Sequence, residues 1–274
     1  MTNLTSSSIS RRMIKVKDIA KVIEDFAPLS LQESYDNAGL QVGNRESAVS
    51  AVLLCLDVTE ETVREAKNRS CNLIVSHHPL IFRGLKNLTG ADQTQRIVMD
   101  ALKEGISIYS AHTNLDSANE GVSYEMAHQL NLKDLQVLVP SERNPEIGLG
   151  IVGVYDNPVP QLEFLRKVKD TFAVKALRYS GQTQHLVIRK VALCGGSGGS
   201  FISDAFNCGA DAYLSGDFKY HDYTTYGLDM LIADIGHHES ELCSRRILSR
   251  IIREAYPDCV IYFAESENNP IKIL

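Results

Sequence analysis

No apolar run in this chain approaches the roughly 18 residues that a membrane-spanning helix requires. A secretory signal is missing too. Residues 1–12 are polar and rich in Ser and Thr, without the apolar stretch that a signal contains. They read as a disordered extension, and the expected location is the cytoplasm. Positive charge is short: 28 Lys and Arg against 34 Asp and Glu leave a net charge of −6. That disfavours a general nucleic-acid binder, although it leaves room for a local basic pocket. Cys-x-x-Cys pairs are absent. The six cysteines, Cys55, Cys71, Cys194, Cys208, Cys243 and Cys259, do not have zinc-knuckle spacing. Several stand in or beside apolar runs, where Cys acts as a small buried hydrophobe. Neither a P-loop nor a dinucleotide fingerprint is present.

The chain has ample core. Of its 274 residues, 44% are hydrophobic and 23% charged, enough for one large α/β domain or two smaller ones. Helices are expected over 16–25, 93–104, 122–130 and 161–172. Another should follow residue 57, with Asp57 as N-cap and Glu60 three residues on. Short apolar runs at 51–56, 72–75, 106–110 and 185–188 read as strands. Residues 33–40 read as a loop. Alternating strands and helices imply mostly parallel or mixed sheets with helices on both faces. The stretch 135–189 has a different texture, with the run Gly148 to Val154 and the pair Pro158 and Pro160.

A repeat is visible. Val52-Leu53-Leu54-Cys55 is echoed by Val191-Ala192-Leu193-Cys194, an offset of 139 residues. At the same offset, Ser76 and Ser215 each end an apolar run, and His77 and His78 fall on Gly216 and Asp217. The offset predicts two βαβ units in which Ser76 and Ser215 are equivalent.

Three apolar runs end in imidazole or carboxylate: Ser76-His77-His78-Pro79, His112 through Asp116, and Gly236-His237-His238-Glu239-Ser240-Glu241. Open α/β sheets build sites beyond the carboxyl ends of their strands, so the three ends point to one metal site. His77 and His78 follow a buried run, where imidazoles without partners are costly. Asp116 can ligate or bridge; its alternative role is a helix cap. His237 and Glu241 share a face if a helix starts after Gly236. An exposed polar turn is the alternative there, and His238 and Glu239 are reserve candidates. His112 is the weaker candidate, read as a donor that steadies a ligand carboxylate. Three His and two carboxylates exceed the four ligands of a tetrahedral zinc. They suit two metals about 3.5–4 Å apart. Mixed N/O ligation fits two divalent transition metal ions, zinc first and then Mn, Fe, Co or Ni. Gly195, Gly196, Ser197 and Gly198, between a strand and a helix, are candidates to hold a phosphate on their amides. A tight turn needing positive φ explains the glycines equally well. The expected division is residues 13–130 plus 232–274 as the metal-binding lobe and 131–231 as a second, related α/β lobe.

These motifs, in this order, resemble the NIF-three-like family, whose members are often called dinuclear metal-centre proteins or GTP cyclohydrolase 1 type 2 homologues. Asp36-Asn37 with Gly39-Leu40, Ser76-His77-His78-Pro79, His112 through Asp116, Gly216-Asp217 with His221, and Gly236-His237 with Glu241 carry the resemblance. It covers nearly the whole chain from about residue 16. It implies a metal pair on His77, His78, Asp116, His237 and Glu241, two α/β lobes, and a ring-shaped homohexamer with its metal sites facing the inner cavity. The inserted domain of some longer members has no counterpart here. The leading functional reading is a metal-dependent hydrolase that opens a heterocyclic C–N bond, with a purine nucleotide as substrate. Asp36, His112, Asp217 and His221 are its candidate proton carriers. The alternative is a metal-binding scaffold or regulatory partner without turnover. Nucleic-acid binding through a ring cavity is disfavoured by the net charge.

Overall fold

The computed structural model describes residues 13–141, 144–181 and 186–274. The expected extension at 1–12, and His185 of the strand expected at 185–188, lie outside the described residues. Helix α1 (Val16–Phe26) forms because Val16, Ile19, Ala20 and Ile23 make one buried stripe at helical spacing. The elements β1 (Gly39–Val42), β2 (Val52–Cys55), α2 (Glu60–Asn68), β3 (Leu73–Ser76), α3 (Gln93–Lys103) and β4 (Ser107–Ser110) follow. After them come α4 (Thr113–Ser117), α5 (Val122–Gln129), β5 (Lys133–Pro140), β6 (Gly148–Pro160) and α6 (Gln161–Thr171). A second series is β7 (Arg178–Tyr179), β8 (Val187–Ser197), α7 (Ile202–Asn207), β9 (Ala212–Gly216), α8 (Tyr220–Tyr226), β10 (Leu231–Asp234) and α9 (His237–Glu241). The chain ends through α10 (Ser244–Ala255) and β11 (Ile261–Phe263).

Two mixed sheets result, in the orders β1-β4-β3-β2-β11 and β5-β6-β8-β9-β10-β7. Strands β2, β3 and β4 run parallel, as do β8, β9 and β10. In each set the third strand takes a short antiparallel edge strand, β1 on β4 and β7 on β10. Successive side chains on a strand point to opposite faces. Val52, Leu54, Leu73 and Val75 therefore enter one central core together with Val191, Leu193, Ala212 and Leu214 of the other sheet. The intervening Leu53, Cys55 and Ile74 face α2 and α3, and Ala192, Cys194 and Tyr213 face α7. Each fully buried Leu or Ile contributes about 1.5–3 kcal/mol.

The two βαβ units match in register. Val52 pairs with Leu73, and Val191, 139 residues on, pairs with Ala212. The turns between helix and strand repeat their hydrogen bonds. Cys71 N donates to Ala66 O (2.8 Å), and Ala210 N to Ala205 O (3.2 Å). Beyond Ser76 and Ser215 the match goes on. Ala111 N donates to Ser76 O and Ile235 N to Ser215 O, both at 2.9 Å, and a five-residue helix follows in each case.

Three expectations need correction. Residues 33–40 are not all loop, because Gly39 and Leu40 open β1. Asp57 does not cap α2. Thr59 does so, accepting from Thr62 N at 3.2 Å, and Asp57 is engaged elsewhere. The boundary between residues 231 and 232 cuts a strand. All of β10 is hydrogen-bonded to β9 in the second sheet, and only α10 and β11 rejoin the first. Among the described residues no helix is long and apolar enough to cross a membrane.

Candidate metal centre

The carboxyl ends of β3, β4 and β10 meet, and four imidazoles converge. The Nδ1 of each is tied to an acceptor at 2.8 Å: His77 to Ala111 O, His78 to Asp57, His112 to Asp36 and His237 to Asp217. A backbone carbonyl only accepts, so His77 carries a proton on Nδ1 and turns its other nitrogen, Nε2, to the cluster. That nitrogen is buried and, among the described residues, has no hydrogen-bond partner; Asp116 Oδ1 is in the same condition. The two lie 3.6 Å apart, with Glu241 Oε1 at 3.7 Å from the same nitrogen.

Glu241 faces both ways. Its Oε2 is 2.9 Å from His78 Nε2 and 3.0 Å from His237 Nε2, while its Oε1 faces His77. Helix α9 makes this possible by placing His237 and Glu241 one turn apart. Gly236, at φ +87°, turns the chain from strand into helix. Three groups of donor atoms lie within 4.8 Å of one another: His77, His78 and His112; His78, His237 and Glu241; and His77, Asp116 and Glu241. These buried His, Asp and Glu groups can hold a metal ion.

The electrostatics agree with that chemistry. Burial opposes charge on His78, but Asp57 and Glu241 win and lift its pKa to about 10. The Glu241 hydrogen bond lifts His237 to about 9. Burial also works against the Glu241 charge, yet His77, His237 and His78 hold its carboxyl well below the usual carboxylate range. Asp116 is pushed up by burial. Lone-pair nitrogens and carboxylates aimed at one another in a low-dielectric interior call for positive charge between them, as protons or as a metal. The residues present fit a metal.

The structure thus brings together His77, His78, Asp116, His237 and Glu241. It also seats His112 among the donor groups. His112 does not steady a ligand carboxylate; Asp36 steadies it. Desolvation resists that charge, but the hydrogen bonds of His112 and Thr113 hold the Asp36 carboxyl at about 2. His221 is not brought in: it is exposed on α8 with its ring against Tyr220. Glu239 accepts from Asn269 instead of facing the cluster, at 2.9 Å. The glycine loop is not a phosphate cradle. The amides of Gly195, Gly196 and Gly198 already donate to the hydroxyls of Ser123, Ser240 and Ser215. Its glycines serve close packing. A Cβ on Gly196, at φ +67°, would stand 2.1 Å from Glu241 Oε1.

Sequence reasoning missed Asp57 as the partner of His78. The signal was its place just past the end of β2, beside the strand that supplies His78. It also missed Glu267, whose carboxylate accepts from the amides of Leu56 and of Asp57 (2.9 Å) and binds Arg245 at 2.7 Å. Nothing local in the sequence marks that contact. Around the centre lie two clefts. One, of about 490 Å³, reaches His237 and Asp217 and carries Lys175, Arg178 and Lys272. The other, of about 570 Å³, reaches His78 and Asp57.

Residues 14–270 match the model of the family described as Duf34/NIF3 (NGG1p interacting factor 3). A Clostridium perfringens protein named GTP cyclohydrolase 1 type 2 homolog is 40% identical over 231 residues, covering 83% of this chain and 87% of that protein. A Lactococcus lactis protein of the same name is 36% identical over 265 residues, covering 94% and 98%. Among solved structures, a Staphylococcus aureus hypothetical protein superposes with a TM-score of 0.87 at 25% identity, covering 96% of this chain and 100% of that one. Reduced HcgD from Methanocaldococcus jannaschii gives 0.79 at 27% identity, covering 93% and 99%. With a family match that spans nearly all of the described chain and relatives aligned over most of their length, this chain belongs to the Duf34/NIF3 family.

Proposed function

We propose that the protein is a dinuclear metal-dependent hydrolase that opens a heterocyclic C–N bond, with a purine nucleotide such as GTP as first substrate. One observation carries the reading. Four imidazoles are each fixed through Nδ1, the Nε2 atoms of His77, His78 and His237 stand 3.7, 2.9 and 3.0 Å from the oxygens of Glu241, and Asp116 Oδ1 lies 3.6 Å from His77 Nε2. His77 with Asp116, and His78 with His237, would hold two divalent ions. Glu241 would lie between them, and His112 on the His77–His78 side. Bound metal supplies Lewis acidity and water activated near neutral pH.

The chain's own groups do the rest. Asp57, Asp36 and Asp217 fix ring orientation and tautomer, as outer partners of metal-ligating His do. Asp217 is half exposed in the cleft beside His237, and we assign it the proton transfer. Asp36, held at about 2, is an orienting group. Lys175 and Lys272 line that cleft together with the carboxylates of Asp217, Asp234 and Glu239, and they are the two cations there that would meet nucleotide phosphates. The printed name of the relatives agrees with a purine nucleotide.

The test starts from protein purified without tag or chelator, with its metals measured. Metal-free protein then receives Zn, Mn, Fe or Co, and formate release and loss of purine absorbance are followed with GTP, other nucleotides and small cyclic amides. Turnover that needs metal supports the proposal. Metal binding without turnover in every form leaves a scaffold as the function.

A further inference from the structure

Two loops form one rim of the metal centre, and each carries an exposed aromatic ring. Tyr35 precedes Asp36, the carboxylate that holds His112. Phe82 follows His78-Pro79 by a few residues. The rings lie 6.3 Å apart between centroids at 55°, with Tyr35 62% and Phe82 45% exposed. Phe82 also meets the edge of His112, at 6.5 Å and 80°. His112 in turn lies 5.3 Å from the His77 ring and 5.5 Å from the His78 ring. The aromatic pair therefore abuts the donor cluster at His112.

The pair is built, not incidental. Asn37 Nδ2 donates to Ile81 O at 2.6 Å, Ile81 N donates to Gln41 Oε1 at 2.7 Å, and Gln41 Nε2 returns to Asn37 O. These bonds tie the two loops together, and β1 anchors Gln41. Burial and the nearby carboxylates of Glu33, Asp36 and Asp116 raise the Tyr35 phenol. Two rings fixed in solvent at the mouth of a polar site leave apolar faces uncovered. A flat aromatic ligand can stack on one of these rings and meet the other at a tilt, at little entropic cost because the rings are already placed.

We infer that Tyr35 and Phe82 form the stacking platform for the planar heterocycle of the substrate, with His112 the donor next to the platform. The inference rests on the hydrolase reading above and names the part of the ligand that this rim takes. Stacking of a nucleobase on an aromatic side chain is sequence-tolerant. The platform should therefore accept several bases, with selection falling to other groups. The cations of the cleft beside His237 would take the phosphates.

Calorimetric titration of zinc-loaded, full-length protein with GTP, ATP, UTP and inorganic triphosphate tests it, with formate release followed in parallel. Tyr35→Ala and Phe82→Ala should each weaken GTP binding by about tenfold to a hundredfold. Phe82→Tyr should bind like the parent. Triphosphate affinity and metal content should stay unchanged in all three variants. Alanine variants that bind GTP as the parent does overturn the platform, as does a parent protein that binds none of the three nucleotides. Loss of nucleotide binding in the alanine variants, with no formate released by any form, keeps the platform and removes the hydrolase reading. Formate release with unchanged KM in the alanine variants does the reverse.

Discussion

The strands β1 to β4 and β7 to β10 form the same object twice. Each set has three parallel strands in sequence order, with an antiparallel edge strand on the third. What the two sets place on that frame differs. The first spends its strand ends on side chains: His77 and His78 after β3, His112 and Asp116 after β4. At the positions of His77 and His78 the second has Gly216 and Asp217, and at that of Asp57 it has Gly196. The glycines there make clearance. A Cβ on Gly216 would meet His237 N at 2.7 Å, and one on Gly196 would meet Glu241. One half supplies donor side chains directly; the other keeps its backbone bare so that α9 can enter with His237 and Glu241. The matched short helices make the same point. Helix α4 contributes its fourth residue, Asp116, and α9 its first and fifth.

The largest effect should come from breaking this asymmetry at Glu241. Glu241→Ala should lower metal affinity by more than the roughly 10–100-fold typical of outer partners, because it faces both donor sets. Ser117→Ala, at the corresponding helix position, should leave metal content unchanged. Elemental analysis after dialysis reads both. Next come the orienting carboxylates. Asp57→Asn and Asp217→Asn should each weaken metal binding about 10–100-fold, since each frees one imidazole to rotate. If one variant binds as the parent does, the halves do not share this device.

Gly196→Ala should cost about 1–3 kcal/mol, from the strained φ alone, and more from the Glu241 clash. Urea unfolding with an unchanged slope would show it. Asp57→Ala, at the matched position, should lose metal but little of the metal-free stability. The smallest effect concerns the turn after each helix. Ser70 (φ +56°) and Gly209 (φ +73°) stand at matched positions in left-handed backbone. Ser70→Gly should stabilise and Gly209→Ser should destabilise, each by about 1 kcal/mol. Thermal melts of the two variants should shift in opposite directions.

Much of this was legible in the sequence, because buried strands and the groups at their ends leave local marks. The run Leu73 to Val75 before two His, and the four-residue spacing of His237 and Glu241, need no partner to be read. The 139-residue offset was readable for the same reason. Other features are defined only across space. Asp57 looks like a helix cap until β3 places His78 beside it, and its rival Thr59 wins the cap by two residues. Strand β1 is four residues long and paired only at an edge, too short for periodicity to show. The glycine loop stayed open between two readings because glycine serves close approach as readily as anion binding. The serine hydroxyls that occupy its amides come from three distant segments.

The order of strands along the chain has a consequence for how the protein is made. Synthesis runs from the N-terminus, and early segments begin to fold before later ones exist. The first sheet can pair β1 to β4 when residue 110 has emerged, but its edge partner β11 is residues 261–263. His77 and Asp116 must wait for Glu241, and the Leu56 and Asp57 amides for Glu267. The nascent chain therefore carries only part of the donor cluster for most of its translation. A metal bound at this cluster would meet its full donor set only at the end of synthesis, which would make loading a late event in the life of each new chain.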